Sequence, residues 1–417
     1  MGAPRVVLLM SPATYRAGAF LGAAERLGLE VVQGIDLPES LTEYWHVPLG
    51  LDFTRPELAA ADLVAYAREH PVAAILSVDD SATLVAAQAS AALGLPHNDP
   101  GAALAARDKL VMRERLAAAG VPVPPFRPYP ATADPAAIAA TVAYPCVVKP
   151  LRLSGSRGVI RADNAAEFVA AFERTRAMLF AEGYAPAETQ LLVEQFVPGV
   201  EVALEGLLTG GRMQVLALFD KPDPLDGPFF EETIYVTPSR LPSATQDAIA
   251  RRTAQAAAAL GLREGPIHVE LRVNAEGVWP IELAGRSIGG LCSSILEFGT
   301  GVTLEELILR HAVGLPLPST ERAGEAGGVM MIPIPKRGIL RGIGGQDEAA
   351  RVPGITGVEI TAKLNHPLMP LPEGASYLGF IFARGHTPAQ VEAALRAAHA
   401  RLSFRIEPAI MLSVSSQ

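Results

Sequence analysis

The chain reads as a multidomain protein of α/β and α+β class, with a parallel, Rossmann-like α/β layer first and a small α+β unit last. Three observations lead there. Its 417 residues exceed what one hydrophobic core organises. The first hundred residues alternate apolar strand signals with helical ones, the pattern of a parallel sheet covered by helices. Residues 142–315 then mix strands and helices without regular alternation, which points to α+β.

Val6–Met10, Leu29–Ile35 and Ala73–Val78 read as buried strands, with helices over Ala17–Leu27, Pro56–Glu69 and Ser81–Leu93. The turn after the first strand is Ser11-Pro12-Ala13-Thr14, which lacks a dinucleotide-binding glycine fingerprint and disfavours a Rossmann oxidoreductase. A helix carrying Arg107, Asp108 and Lys109 follows, then a Pro-rich connector, Val121–Pro130. Asn164 with Glu167, Ser243 with Gln246 and Thr303 with Glu306 mark helix starts, and Gly261 and Gly314 suit helix stops. Near the end, Val329–Ile334 and Tyr377–Ala383 read as strands and Pro388–Leu402 as a helix capped by Thr387. The expected domains are 1–100, 101–316 and 317–417.

Hydrophobic residues at 49% and charged residues at 19% describe a compact fold rather than disorder. A net charge of −9 gives no electrostatic reason to expect nucleic acid or an anionic membrane as partner. Cys146 and Cys292 lie in apolar stretches and read as buried free thiols, which fits a reducing compartment. Met1–Met10 is too short for a signal-peptide core and no run approaches a membrane span, so the expectation is a cytoplasmic protein.

Glu270 and Glu282 lie on two apolar runs, Ile267–Val273 and Val278–Leu283, separated by Asn274-Ala275-Glu276-Gly277. If Ala275–Gly277 form a three-residue loop, Asn274 pairs with Val278 and Glu270 faces Glu282. Like charges so placed weaken a sheet, unless a divalent cation sits between them. Two oxygen ligands with room for water and phosphate suit Mg²⁺; a solvated acidic hairpin is the plain alternative.

Cys146-Val147-Val148-Lys149-Pro150 is a buried strand ending in a lysine, and Leu153-Ser154-Gly155-Ser156-Arg157-Gly158 is a small loop before another strand, Val159–Arg161. Such a loop can turn several backbone N–H groups toward phosphate oxygens, though an ordinary hairpin tip looks the same. A lysine closing an apolar strand is rarely there for packing. Further on, the strand Leu191–Phe196 meets Val197-Pro198-Gly199-Val200-Glu201, an edge suited to adenine with an acid for ribose, or a plain strand–turn–strand.

In this order the pieces resemble the ATP-grasp superfamily, over Pro96–Leu315 in detail, with flanking regions like that family's N-terminal and C-terminal units. The resemblance implies an ATP-grasp fold in which two subdomains close on ATP, and a carboxylate activated as an acyl phosphate. It implies Lys109 and Lys149 on phosphates and Ser154, Gly155, Ser156 and Gly158 in the covering loop. Glu194, Gln195, Phe196 and Val197 would form the adenine hinge, with Glu201 on the ribose. Glu270 and Glu282 match the ligands of Mg²⁺, with Mn²⁺ as an alternative ion, and Arg286 matches the arginine at the reacting carboxylate. Many members carry Asn where this chain has Ala284, which leaves the geometry of a second metal open.

Lys221–Glu232, leading into the strand Thr233–Thr237, resembles the corresponding segment of L-amino acid ligases, and Glu232 would grip the incoming ammonium group. Some relatives have His where Tyr235 stands, so the amine pocket differs. Ser287 to Gly290, Gly289 included, offer small residues and backbone donors suited to a substrate carboxylate. His268 shares a strand face with Glu270 and could touch phosphate or metal, a structural hydrogen bond being the plainer role. The expected activity is an ATP-dependent carboxylate–amine ligase joining two amino acids, or an amino acid and another small carboxylate, in an assembly that many relatives form as homodimers. Biotin-dependent carboxylases carry Val-Glu-His shortly after the arginine, where this chain has Ser287-Ile288-Gly289-Gly290-Leu291. A non-catalytic nucleotide-binding module is the third alternative, and retention of both lysines, both acids and Arg286 speaks against it.

Overall fold

The computed structural model describes residues 3–37, 41 and 49–408, so Met1 and Gly2 of the opening stretch lie outside it. Contacts divide the chain into two compact units that interleave along the sequence. One comprises Met1–Val123, Glu201–Phe219 and Leu241–Gly324; the other comprises Pro124–Val200, Asp220–Arg240 and Glu325–Gln417.

In the first unit, Arg5–Met10 pairs in parallel with Glu30–Asp36 on one side and Ala74–Ser77 on the other, and Leu49–Leu51 adds an outer strand. Helix Pro56–Glu69 follows from its apolar spacing: Ala59, Ala60, Leu63, Val64 and Ala67 are buried along one face, and Pro56 opens the first turn. The same unit holds an antiparallel layer in which Gly277–Ala284, Gly265–Asn274, Val200–Thr209 and Arg212–Asp220 lie side by side. Leu204, Ile267, Val269 and Leu283 pack beneath it against Ile249 and Leu260 of helix Ser243–Leu260. Each such fully buried side chain contributes about 1.5–3 kcal/mol by leaving water.

The second unit contains a four-stranded sheet ordered Phe126–Pro130, Gln190–Gln195, Cys146–Pro150 and Ile160–Ala162. Phe168 and Phe172 of helix Ala165–Ala181 seal it. Strands Ile234–Thr237, Ala326–Ile332, Gly379–Gly385 and Ile355–Ile360 form a further layer, packed on Val391 and Leu395 of helix Pro388–His399. Asn164, Thr303 and Thr387 cap their helices through side-chain oxygens, as expected.

Four expectations need correcting. The helix carrying Arg107, Asp108 and Lys109 is two helices, Pro100–Arg107 and Lys109–Ala118. Asp108 between them is extended, and its carboxylate accepts from the N–H groups of Leu110 and Val111 at 3.1 and 3.3 Å. Ser243 is a helical residue rather than the cap, because Pro242 precedes it in cap position. Half of the Pro-rich connector, Phe126–Pro130, pairs as an edge strand, a place where missing N–H groups cost nothing.

The acidic hairpin departs in a more instructive way. Asn274 pairs with Gly277, not Val278, so the turn is one residue shorter than expected. The register then shifts between Glu270 and Leu271, where Ile281 is the extra residue on the opposing strand. The two differences cancel, and Glu270 does face Glu282. The tight turn is held by Asn274, whose side-chain oxygen accepts from Glu276 N–H at 2.9 Å, Gly277 N–H at 3.2 Å and Trp279 Nε1–H at 3.2 Å. Gly277 sits at φ +137°, where a side chain would be strained. Asn274→Ala is therefore expected to lower stability by about 1–2 kcal/mol in urea unfolding, as three donors lose their acceptor; an unchanged midpoint would contradict this account of the turn.

Candidate active site

The first unit gathers its charged residues on one face of the acidic hairpin. Glu270 and Glu282, opposite each other, are partly exposed, and their mutual repulsion is offset by cations on either side. Lys109, the first residue of its helix, is buried and sets Nζ 3.4 Å from Glu282 Oε2. His268, two residues before Glu270 on the same strand face, sets Nε2 3.6 Å from Glu270 Oε1.

Behind His268 lies Glu205, fully buried, whose carboxylate accepts from His268 Nδ1 at 2.5 Å. Its other oxygen takes the backbone N–H of Ile288 at 3.1 Å. Burial alone would lower the His268 pKa, but the carboxylates of Glu205 and Glu270 outweigh it and hold the value up at about 9. Glu205 did not emerge from the sequence; the signal was an acid four residues after Glu201, on the same strand face, inside an otherwise apolar strand.

Arg286 follows the second strand and points its Nη2 at Asp80, 2.5 Å away. Asp79 and Asp80 were also missed. They stand just after the strand Ala74–Ser77, at the carboxyl edge of the parallel sheet, where open α/β layers carry their sites. Asp79 accepts from Ser11 N–H at 2.9 Å and from Thr14 Oγ1 at 2.8 Å, fixing the turn that stands where a dinucleotide site would have glycines. Burial would raise the Asp80 pKa, yet the Arg286 guanidinium holds it below the usual carboxylate range.

The stretch after Arg286 is braced from the parallel layer. Arg16, 2% exposed, donates to Ser287 Oγ at 2.6 Å, to Ser287 O at 3.3 Å and to Val78 O at 2.9 Å. Arg286 Nη1 donates to the same Ser287 carbonyl at 2.9 Å. The expectation that Ser287 faces a substrate therefore gives way, since its side chain is 1% exposed and committed to Arg16. Ile288 N–H is spent on Glu205, and Gly289 is what the stretch leaves open, with no atom within 4 Å of where its Cβ would be. Glu201 lies on a neighbouring strand and accepts from Arg272 Nε at 2.9 Å, both groups being buried.

The second unit holds the remaining residues. Lys149 closes its strand in a buried position, and its Nζ stands 2.5 Å from Glu194 Oε2. A buried ammonium requires such a counter-charge. Ser154, Gly155, Ser156 and Gly158 form an irregular loop in which Gly155 and Ser156 both have left-handed backbone, φ 65° and 56°. Successive residues bent this way turn N–H groups to one side, the geometry that cradles anions. The loop's base is tied by Gly158 N–H to Pro372 O at 2.9 Å. At the expected hinge, Gln195 and Phe196 N–H donate to Pro125 O and Pro145 O at 2.9 and 3.0 Å, while Phe196 lies under the Arg161 guanidinium with Val197 buried beyond it. Glu232 is ion-paired with Lys221, which also lies over the Tyr235 ring.

The residues present fit a hard divalent cation. Two carboxylates face each other across a hairpin, each reached by solvent. A separate consequence concerns pH. Asp80 has its folded pKa depressed below an unfolded value of 3.8, so the stability of its pair with Arg286 is present above 3.8 and lost as pH falls through the depressed value. Asp80→Asn is expected to lower the urea midpoint at pH 6 and to differ much less from the parent at pH 3; a gap that stays constant or widens on acidification would contradict the pairing.

Comparison with known proteins matches residues 142–295 to the family described as the ATP-grasp domain, 21–97 to the ATP-grasp N-terminal domain and 330–407 to the L-amino acid ligase C-terminal domain 2. A crystal structure of L-amino acid ligase from Bacillus licheniformis superposes with a TM-score of 0.82 at 27% identity, over 98% of this chain and 100% of that one. An uncharacterized protein from Sinorhizobium fredii is 24% identical, covering 97% of this chain and 78% of its own length. A D-alanine–D-alanine ligase from Acidovorax ebreus is 27% identical over 57% of this chain and 72% of that protein. Phosphoribosylglycinamide synthetase from Anaerococcus prevotii, with a TM-score of 0.68 at 16% identity, shares the fold. Among the described residues no helix is long and apolar enough to cross a membrane. With the ATP-grasp domain matched over 142–295 between matching N-terminal and C-terminal domains, and an L-amino acid ligase superposing over 98% of it, the chain is an ATP-grasp ligase.

Proposed function

We propose that the protein joins two amino acids, or an amino acid and another small carboxylate, through an acyl phosphate, releasing ADP and phosphate. The observation that carries this is the Glu270–Glu282 pair with Lys109 beside it and Arg286 beyond it on the same chain segment. The full-length match to an L-amino acid ligase supports the choice of substrates.

A carboxylate oxygen attacks the γ-phosphorus of ATP and the bond to ADP breaks. The amine nitrogen then attacks the acyl carbon, loses a proton, and phosphate leaves. Mg²⁺, or Mn²⁺ in its place, held by Glu270 and Glu282, supplies neutralisation of phosphate charge when bound. Lys109 and Lys149 spread further positive charge along the phosphates, and the backbone of Ser154–Gly158 donates to their oxygens. Glu194–Val197 line the adenine, and Glu201, set in place by Arg272, takes the ribose. Arg286, oriented by Asp80 and by the Ser287 carbonyl, steadies the oxyanion formed when the amine attacks. Glu232 takes the ammonium group of the second substrate, exchanging Lys221 for it. Gly289 offers backbone to a substrate carboxylate, and His268, set by Glu205, holds Glu270 in place. A homodimer in the cytoplasm goes with this proposal.

ADP release measured over a panel of amino-acid pairs, with products read by mass spectrometry, is expected to give turnover with particular pairs and a product mass equal to the two substrates less one water. ATP binding with no turnover on any pair would contradict the proposal, as would bicarbonate-dependent turnover with biotin. Glu282→Gln is expected to cut turnover at least ~100-fold while leaving the far-UV spectrum and unfolding midpoint intact; substantial retained turnover would remove the metal assignment.

A further inference from the structure

A second cavity of about 630 Å³ lies within the first unit, a size typical of pockets for small organic molecules. Neither Glu270, Glu282, Arg286 nor Asp80 lines it. In the bend after the strand Gly277–Ala284, Gly285 and Ser287 border the cavity while Arg286 between them turns to Asp80. The cavity thus backs onto the segment that carries Arg286, where the Ser287 carbonyl and hydroxyl are already engaged by Arg286 and Arg16.

Its lining has a definite chemical character. The walls are apolar and small, with Ala87 and Ala103 from two helices and Leu262, Ile308 and Leu315 opposite them. Among the described residues no lysine, arginine or aspartate lines it. The one acid, Glu264, already accepts from Gly210 N–H at 2.9 Å. The Asn98 side chain is held by Glu264 and Arg263, donating to Glu264 O at 2.7 Å and accepting from Arg263 and Glu264 N–H at 2.7 and 2.9 Å. His311 engages Thr209 Oγ1 through Nε2 at 2.8 Å, and burial holds its pKa below the ordinary histidine value.

His97, through Nδ1 held at 2.7 Å by Leu95 O, and Ser90 also line the cavity, and a further polar feature lies beside them. Among the described residues Ala74–Ser77 is the edge strand of the parallel sheet, paired with Arg5–Met10 on one side, and it borders the cavity. Its outer side carries backbone N–H and C=O groups in alternation, a ready partner for any flat group with a donor and an acceptor side by side. A carboxylate ligand would find no lysine or arginine among the described lining residues and would lose its hydration, which is costly in an apolar wall.

We propose that this cavity is a binding site for an uncharged, largely apolar small molecule bearing an amide-like donor–acceptor edge, which pairs with the backbone of Ala74–Ser77. The site is separate from the one assigned to the ligase reaction and does not depend on it.

Benzamide and benzoate test this directly, since they share a shape and differ in charge and in the donor. Thermal unfolding of the full-length protein is expected to shift upward by about 2 °C or more, saturably, with millimolar benzamide and by less than a quarter of that with benzoate. Ala87→Leu and Ala103→Leu, made separately, fill the cavity from different helices and are each expected to abolish the benzamide shift. No saturable shift with the parent protein would overturn the proposal, as would an equal response to benzoate. Retention of the shift in either variant that still unfolds cooperatively would overturn it too. Because the benzamide–benzoate comparison uses the unaltered chain, a variant that fails to fold leaves the test intact.

Discussion

Two carboxylates set directly across a hairpin form the interaction on which the rest of the site depends. Left alone, Glu270 and Glu282 would weaken the pairing of their strands. The chain answers with Lys109 on one side and His268 on the other, and each of these is itself held by a buried group or a helix start. The residual negative field between the carboxylates is what makes the hairpin suited to a divalent cation. Glu205, out of reach of solvent, belongs to the same arrangement: it fixes the ring of His268 and the backbone of Ile288 together, so the metal face and the segment after Arg286 share one anchor.

Arg286 illustrates how charge is kept ready rather than neutralised for stability. Its guanidinium meets Asp80 from the parallel layer, and its second nitrogen meets a carbonyl that Arg16 also reaches. Arg16 is deeply buried yet committed to Ser287, Val78 and, at 3.8 Å, Glu305. Two cations brought to one carbonyl repel each other, which is affordable because each has an acid of its own. The parallel layer, which carries no dinucleotide fingerprint, thereby acquires a reason to be present: it supplies the groups that orient the arginine.

Much of this was legible in the sequence, and the failures have physical causes. Three strands and the helices of the parallel layer follow apolar periodicity to within two residues of their ends, whereas the outer strand Leu49–Leu51 is too short for periodicity to announce it. The facing of Glu270 and Glu282 was also readable, though by a cancellation: a shorter turn that Asn274 closes with three hydrogen bonds, and an extra residue at Ile281 that no periodicity announces. The break at Asp108 was hidden because Arg107, Asp108 and Lys109 all suit a helix surface, whereas the aspartate caps instead. Glu205, Asp80 and Arg16 escaped because each matters through partners tens to hundreds of residues away. Their only local signal was a charge where burial or a strand end would make one expensive. Ser287 was misread for the same reason, its hydroxyl being taken by a residue 271 positions earlier.

The most direct test of the central claim is anomalous diffraction from crystals grown with Mn²⁺ and a non-hydrolysable ATP analogue. The account predicts a manganese peak within ~2.5 Å of oxygens from both Glu270 and Glu282. A metal bound by phosphate alone, or by carboxylates other than these two, would contradict it.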